Sequence, residues 1–425
     1  MNGGESGRSL RVLVLSQYFW PESFRINELT KAMIEVGCSV TVLTGQPNYP
    51  DGIIFSGYRP LRLGVERHPD GYKIYRVPLV PRGRATPQRL IANYVSFVLS
   101  AAVFGPWLLR KSSFDVVFVY APSPILQVLP AIVIKWLRKA PLITWVQDLW
   151  PQSLLATGFV RNASVLNAVE HLVRWIYRRN DLLLGQSHSF VSAIRELSAS
   201  TPVEYFPNPG EGAQARAIGM CEPALHLEPG FNVVFAGNLG TVQALETALD
   251  AAELLRHAEG IRFVLIGSGS RSDWLRTEIA RRALTNVLMP GRFPADEMPA
   301  ILAQASVLLV SLIRSPSMSQ TIPAKVQAYL AAGRPIIAAM DGEGARVILD
   351  AGAGLSVPAG AARELADAVL KLRSLPISEL NAMGASGREY YEEHFAPEAL
   401  ARKLVAFFRD TLARSGRRRI SQADA

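Results

Sequence analysis

Short apolar runs alternate with longer amphipathic ones along nearly the whole chain, and the series runs twice. Residues 10–16, 40–44, 115–120, Leu142–Val146 and Leu182–Gly185 read as strands, with residues 26–36 a helix between the first two. Alternation of this kind argues for parallel sheets covered by helices on both faces. The turn-rich stretch at residues 205–210 closes the first series. A second opens with a strand at residues 232–236, a helix at 243–257 and strands at 262–266, 287–289 and 307–312. A helix at Ala324–Ala332 and a strand at residues 335–339 continue it. After the break at Phe395-Ala396-Pro397, residues 396–413 read as a terminal helix. The expected organisation is therefore an α/β domain over residues 1–208, a second over 209–395, and a helix with a basic tail over 396–425. Open α/β sheets take ligands at the carboxyl ends of their strands, so two such sheets would face each other across a cleft.

Composition narrows the class. An apolar fraction of 49% and a charged fraction of 19% supply buried cores for more than one domain in 425 residues. The two cysteines, Cys38 and Cys221, exclude a disulfide framework and cannot build a structural zinc site alone, which points to a reducing, cytoplasmic compartment. Residues 1–9 are polar and Gly-rich, without the apolar stretch of a secretory signal. The net charge of +9 gathers beside apolar stretches (Arg110, Lys111, Lys135, Arg138, Lys139) and in a run from Arg414 to Arg419. No zinc finger, RNA-binding aromatic signature or basic zipper accompanies it, so an anionic membrane surface is the expected partner and nucleic acid is not. Residues 91–109 are nearly uncharged and long enough to span a bilayer. Asn93, Ser96, Ser100, Gly105 and Pro106 moderate their hydrophobicity, and the expectation is a buried core helix rather than a span. Together with the apolar segment at residues 125–136, it suits a peripheral protein at the inner face of the plasma membrane.

Candidate ligand residues lie where strands end. Gln17, Tyr18, Phe19 and Trp20 form a polar–aromatic loop after the first strand, open to a ligand or capping the sheet. Asn48 and Tyr49 follow the next strand in a turn. Asp148 follows the strand Leu142–Val146, where a carboxylate can meet a ligand or cap a helix led by Pro151. Gly237, Asn238, Leu239 and Gly240 join a strand to a helix, and small residues there let backbone amides approach an anion. Gln320, Thr321, Ile322 and Pro323 lead into a helix whose first turn carries Lys325. A cation at a helix N-terminus is electrostatically misplaced unless it answers an anion such as a diphosphate. The bland reading is a Lys stem lying over the surface. A P-loop, a His/Glu zinc spacing and a Gly-x-Ser-x-Gly elbow are all missing, as is a pair of aspartates separated by one residue. No cofactor is implied.

The segments SQYFWPESF (16–24), VTVLTGQPNYPDGIIFSGY (40–58), WVQDLWPQSLLATG (145–158), FAGNLGTVQALETAL (235–249) and IPAKVQAYLAAGRPIIA (322–338) jointly resemble the family-four retaining glycosyltransferases of the two-Rossmann, GT-B type. The resemblance runs over residues 10–412 and is nearest to bacterial enzymes of capsule, O-antigen, colanic-acid and exopolysaccharide assembly, fucosyl and N-acetylfucosaminyl transferases among them. It implies an acceptor-binding first domain, a nucleotide-sugar-binding second domain and a terminal helix that crosses back to the first. It also implies metal-free transfer, with retention, from a UDP- or GDP-linked sugar to a lipid-linked saccharide. Gly240 and its neighbours would line the diphosphate site, Lys325 would touch its oxygens, Asp148 would sit near the transferred sugar, and Asn208 would lie at the hinge.

The chain departs from that pattern at one place. Many family members carry two glutamates with seven residues between them before the Ala-Gly-x-Pro turn, and those positions here are Gln320 and Ala328. Gln320 can still bond a sugar hydroxyl, whereas Ala328 cannot grip a ribose, and Glu343 is the candidate substitute. Two other functions share the fold: a nucleotide-sugar 2-epimerase, which needs acid–base groups around the sugar, and a non-catalytic nucleotide-sugar-binding subunit.

Overall fold

The computed structural model describes residues 9–84, 86–156, 158, 160–210 and 225–423, with side chains left aside at 156 and 417–423. Cys221, residues 1–8 of the polar N-terminus and the side chains of Arg417–Arg419 lie outside the described residues. Contacts divide the chain into unit 1, residues 1–208 with 397–425, and unit 2, residues 209–396.

Unit 1 holds strands β1 (Arg11–Leu15), β2 (Ser39–Thr44), β3 (Gly64–Arg67), β4 (Lys73–Arg76), β5 (Val116–Ala121), β6 (Leu142–Val146), β7 (Leu182–Gly185) and β8 (Val203–Tyr205). They form one sheet in the order β3-β4-β2-β1-β5-β6-β7-β8, parallel except where β3 runs against β4. Alternate residues serve opposite faces. Val12 and Val14 join one core with Phe118 and Tyr120, while Leu13 and Leu15 join the other with Val117 and Val119. This period-2 division is why the strands read as continuous apolar runs.

Helix α1 (Arg25–Glu35) covers the first of these faces through Ile26, Leu29 and Met33. The other face is covered by α2 (Pro87–Leu108), α3 (Val128–Arg138), α5 (Ala163–Arg178) and α6 (His188–Ser198), with the short α4 (Gln152–Ala156) between α3 and α5. The last helix of the chain, Pro397–Ala423, packs on α1 and inserts Leu400, Leu404 and Phe408 into the same core as Val12 and Phe118.

Unit 2 is a parallel sheet in the order β11-β10-β9-β12-β13-β14. Its strands are β9 (Phe231–Ala236), β10 (Ile261–Ile266), β11 (Val287–Gly291), β12 (Val307–Ser311), β13 (Ile336–Ala339) and β14 (Gly354–Val357). Its helices are α7 (Leu245–Leu254), α8 (Ser272–Arg281), α9 (Met298–Leu302), α10 (Pro316–Ser319), α11 (Ala324–Ala332), α12 (Glu343–Asp350), α13 (Ala362–Arg373) and α14 (Ile377–His394), and α15 is the unit 1 helix Pro397–Ala423. In each sheet the strand order reverses beside the first strand of the unit, between β1 and β5 and between β9 and β12. Such switch points open a crevice at the carboxyl edge, where α/β sheets bind ligands.

Two expectations need correction. The helix after Gly240 begins later than residue 243: Thr241–Gln243 is a 3-10 turn, Ala244 is left-handed with φ 45°, and α7 starts at Leu245. The apolar segment at residues 91–109 is not a buried core helix. In α2 only Asn93, Phe97, Ala101 and Gly105 are buried, a stripe spaced by four residues. Ile91, Val95, Leu99, Val103 and Trp107 face outward, with Leu99 60% and Val103 66% exposed. By length and composition α2 could cross a bilayer. Its buried stripe nonetheless packs on the sheet, and Asn93 is bonded by Gln17 Nε2 at 2.7 Å and donates to the Val80 carbonyl at 2.7 Å.

Candidate active site

In unit 2 the carboxyl ends of β9 and β10 meet at two glycines. Gly237 has φ 134°, and a Cβ there would lie 2.6 Å from Lys325 Cε. Gly267, also at φ 134°, would place a Cβ 1.9 Å from the Gly237 carbonyl oxygen. Only glycine meets both demands, and the result is a loop pressed closely against a lysine. The Gly237 and Leu239 N–H groups donate to Ile266 and Ser268 carbonyls at 2.9 Å each, so they hold the loop to β10 and are not the anion donors the sequence suggested. The N–H groups of Asn238 and Gly240 have no protein acceptor among the described residues. They are the amides this loop can offer.

Lys325 stands in the first turn of α11, after Pro323. Its Nζ lies 3.6 Å from the centre of the Phe235 ring and donates to Gln243 Oε1. Burial pulls its ammonium down to about 7. Among the described residues no carboxylate pairs with it. A desolvated cation of this kind is favoured by an arriving anion. Gln243, Phe235 and Ser311 are site residues that the sequence did not single out. Ser311 Oγ holds the Gln243 carbonyl at 2.6 Å, which fixes the 3-10 turn that aims Gln243 at Lys325.

The loop before α11 comes against the start of α12. Gly342 has φ 88°, and a Cβ there would lie 2.1 Å from the Ser319 carbonyl oxygen. This contact sets Glu343, the first residue of α12, beside the segment that carries Gln320, Thr321 and Ile322. Gln320 is exposed, Thr321 Oγ1 donates to the Met318 carbonyl at 3.4 Å, and Ile322 packs on the core. Glu343 is 6% exposed and accepts from Arg346 Nη2 at 3.0 Å.

Unit 1 assembles its own cluster at the carboxyl edge. Gln17, Tyr18, Phe19 and Asn48 are buried, while Trp20 and Tyr49 remain partly open. Phe19 belongs to the α1 core, so it anchors the loop and does not face a ligand. The two loops are joined by Glu22, which the sequence did not single out. Its carboxylate accepts the N–H groups of Asn48 and Tyr49 at 2.7 Å each and of Phe19 at 3.1 Å. Burial raises Glu22 to about 7 against the pull of these amides. Fully buried Arg76 adds bonds to the Gly45 and Trp20 carbonyls. Glu22→Gln places an amide group against three N–H donors. It is expected to destabilise the protein by about 1.5–3 kcal/mol, the contribution of a charged hydrogen bond, read as a lower melting temperature. An unchanged melting temperature would refute this anchoring of the two loops.

Asp148 is half-buried, and its Oδ2 accepts the Trp150 indole N–H at 3.1 Å. The same N–H reaches Ser123 Oγ at 3.2 Å. Asn208, the last residue of unit 1 before unit 2 begins, donates to Gln186 Oε1 at 2.6 Å. Among the described residues no group of three or more His, Cys, Asp or Glu could hold a metal ion.

Comparison with known proteins places this geometry. The family described as "Glycosyl transferase 4-like domain" matches residues 23–209, and the family "Glycosyl transferases group 1" matches residues 230–374. WbjE of Pseudomonas aeruginosa, named as a glycosyltransferase, is 23% identical over 346 residues, spanning 78% of this chain and 84% of its own. WcaI of Escherichia coli (strain K12), named as a colanic acid biosynthesis glycosyl transferase, is 25% identical over 346 residues, spanning 76% and 82%. Among solved structures, sucrose-phosphate synthase from Thermosynechococcus elongatus superposes with TM-score 0.66 at 17% identity, covering 95% of this chain and 99% of the other. Anabaena HepE in complex with UDP superposes with TM-score 0.65 at 13% identity, covering 95% and 100%. The likeness to these structures carries the fold, and the two family matches, which follow one another along most of the chain, carry the activity: the protein is a group 1 glycosyltransferase of the GT-B fold and the hexosyltransferase type.

Proposed function

We propose that this glycosyltransferase moves a sugar from a UDP- or GDP-linked donor to a lipid-linked saccharide, with retention and without a metal, on the surface of an anionic membrane. The observation that carries the donor half is Lys325, held against the Gly237 loop without a carboxylate partner among the described residues. A leaving diphosphate gains negative charge as the glycosidic bond breaks. Lys325 and the Asn238 and Gly240 amides are preorganised to receive it. Gln320 and Glu343 then contact the sugar and ribose hydroxyls. The resemblance to the family-four enzymes supports retention. The names of WbjE and WcaI support a place in bacterial surface polysaccharide assembly, and UDP in the HepE structure supports a nucleotide donor.

The membrane half rests on one face of unit 1. Helices α2, α3 and α5 each lead into the amino end of the next parallel strand, so their last turns gather at one edge. Each last turn carries an outward tryptophan: Trp107, Trp136 and Trp175, with Trp136 78% exposed. Arg110 lies over Trp107 at 4.6 Å and Arg179 over Trp175 at 5.0 Å. Lys135, Lys139, Arg178 and Arg179 line a cavity of about 660 Å³ at the same edge. Tryptophan with basic side chains beside an apolar helix face is the composition of a membrane–water interface. The test is transfer of radiolabel from UDP- and GDP-sugars into a butanol-extractable product with bacterial membrane lipid as acceptor. Label in the butanol phase supports the reading. A new nucleotide sugar formed without acceptor would overturn it in favour of an epimerase, and donor binding without any turnover in favour of a non-catalytic subunit.

A further inference from the structure

Unit 1 has a cavity of about 470 Å³ between α2, α4 and α5, within the ~300–1,000 Å³ of small-molecule sites. Its walls are Ile91 and Val95 of α2, Leu126 of the turn after β5, Leu154 of α4 and Val169 of α5. Of its polar members, Ser123, Asp148 and Trp150 are bonded to one another through the Trp150 indole, Tyr94 and Ser153 complete the set, and Asp148 is the sole carboxylate among the described residues of the lining. A pocket for a sugar would be lined with hydrogen-bonding groups. This one is almost wholly hydrocarbon up to that carboxylate.

Ile91 and Val95 connect the cavity to the outer face of α2. They line the cavity and are also 52% and 43% exposed, at the start of the outward stripe that continues through Leu99 and Val103 to Trp107. A hydrocarbon chain can therefore pass from the proposed membrane face into the cavity without crossing water. We infer that the cavity takes the lipid chain of the acceptor next to its phosphate, so the enzyme recognises lipid as well as saccharide. The inference rests on the lipid-linked acceptor proposed above.

The experiment uses the full chain with a benzophenone-tagged farnesyl phosphate, followed by peptide mapping. Labelling is expected on the peptides carrying Leu126 and Val160. Leu126→Trp fills the cavity and is expected to lower that labelling roughly 10- to 100-fold, the effect of two or three methylene-sized burials. The circular dichroism spectrum and the melting temperature must stay unchanged, which shows that unit 1 of the variant is folded. Labelling confined to the outer stripe of α2, or unaltered in Leu126→Trp, overturns the inference. So does equal suppression by dioctanoyl-phosphatidylglycerol and by untagged farnesyl phosphate, since the cavity would then be a general phospholipid site. Radiolabel transfer into lipid with an unlabelled cavity removes this inference alone, whereas no transfer into lipid removes the reading beneath it.

Discussion

Lys325→Met is expected to lower kcat by about 10²–10³, the effect of losing one preorganised donor to a developing anion. The melting temperature should not fall. Methionine keeps an apolar stem over Phe235, and the change removes an ammonium that burial already disfavours. The pH dependence follows from the same feature. In the ligand-free protein Lys325 titrates at about 7, below its ordinary 10.5. Between those values the unfolded chain holds a proton that the native state has released, so ligand-free stability rises with pH across that window. Diphosphate binding reverses the shift by favouring the ammonium. Donor affinity is therefore expected to weaken as pH rises above 7, with uptake of a proton on binding. Steady-state kinetics and calorimetry in buffers of different ionisation enthalpy measure both effects. Near-normal turnover in Lys325→Met would sink the assignment of this lysine.

Leu99→Asp combined with Val103→Asp is expected to reduce binding to phosphatidylglycerol vesicles at least a hundredfold. Burying an aliphatic side chain contributes about 1.5–3 kcal/mol, and two such side chains are lost here. Both positions face outward, so the circular dichroism spectrum and nucleotide binding should be unchanged. Wild-type binding should also weaken with salt, because the Trp–Arg edge contributes through screened charge. Co-sedimentation at low and high salt measures both. A wild-type protein that ignores anionic vesicles at low salt would remove the membrane half of the proposal.

Strands buried on both faces were legible because each is a continuous apolar run: β1, β5, β6, β9 and β12 stand out from the residues alone. The strands that were not legible lie toward the sheet edges. Gly64–Arg67 and Lys73–Arg76 have four residues each, two of them charged, so they resemble loop. Val203–Tyr205 has three residues and Gly354–Val357 four. Helix α2 was legible as a helix but not in its burial. It is apolar on every side, and periodicity cannot say which stripe meets the sheet. Asn93, a polar residue in the buried stripe, is explained only by the bonds it makes to Gln17 and Val80.

The site divides in the same way. Lys325 was visible because a cation at a helix start contradicts local electrostatics. Gln243 was not, because its place depends on the left-handed Ala244, which ends the 3-10 turn and separates it from α7. Glu22 joins residues 26 and 27 positions away, a reach that no local pattern encodes. The family glutamates absent at Gln320 and Ala328 leave Glu343 as the acidic residue beside that loop. Its burial against Arg346 could not be read from spacing.

The most direct test is a titration of UDP, GDP and dTDP into wild type and Lys325→Met, read by calorimetry and by melting temperature between pH 6 and 8.5. Binding to the native state alone raises the melting temperature by mass action. UDP or GDP is expected to bind wild type with proton uptake, to bind more weakly as pH rises from 7.5 to 8.5, where the terminal phosphate no longer titrates, and to lose most of its affinity and that high-pH dependence in the variant. Nucleotide binding that is equal in both proteins and flat between pH 7.5 and 8.5 would contradict a diphosphate site at Lys325.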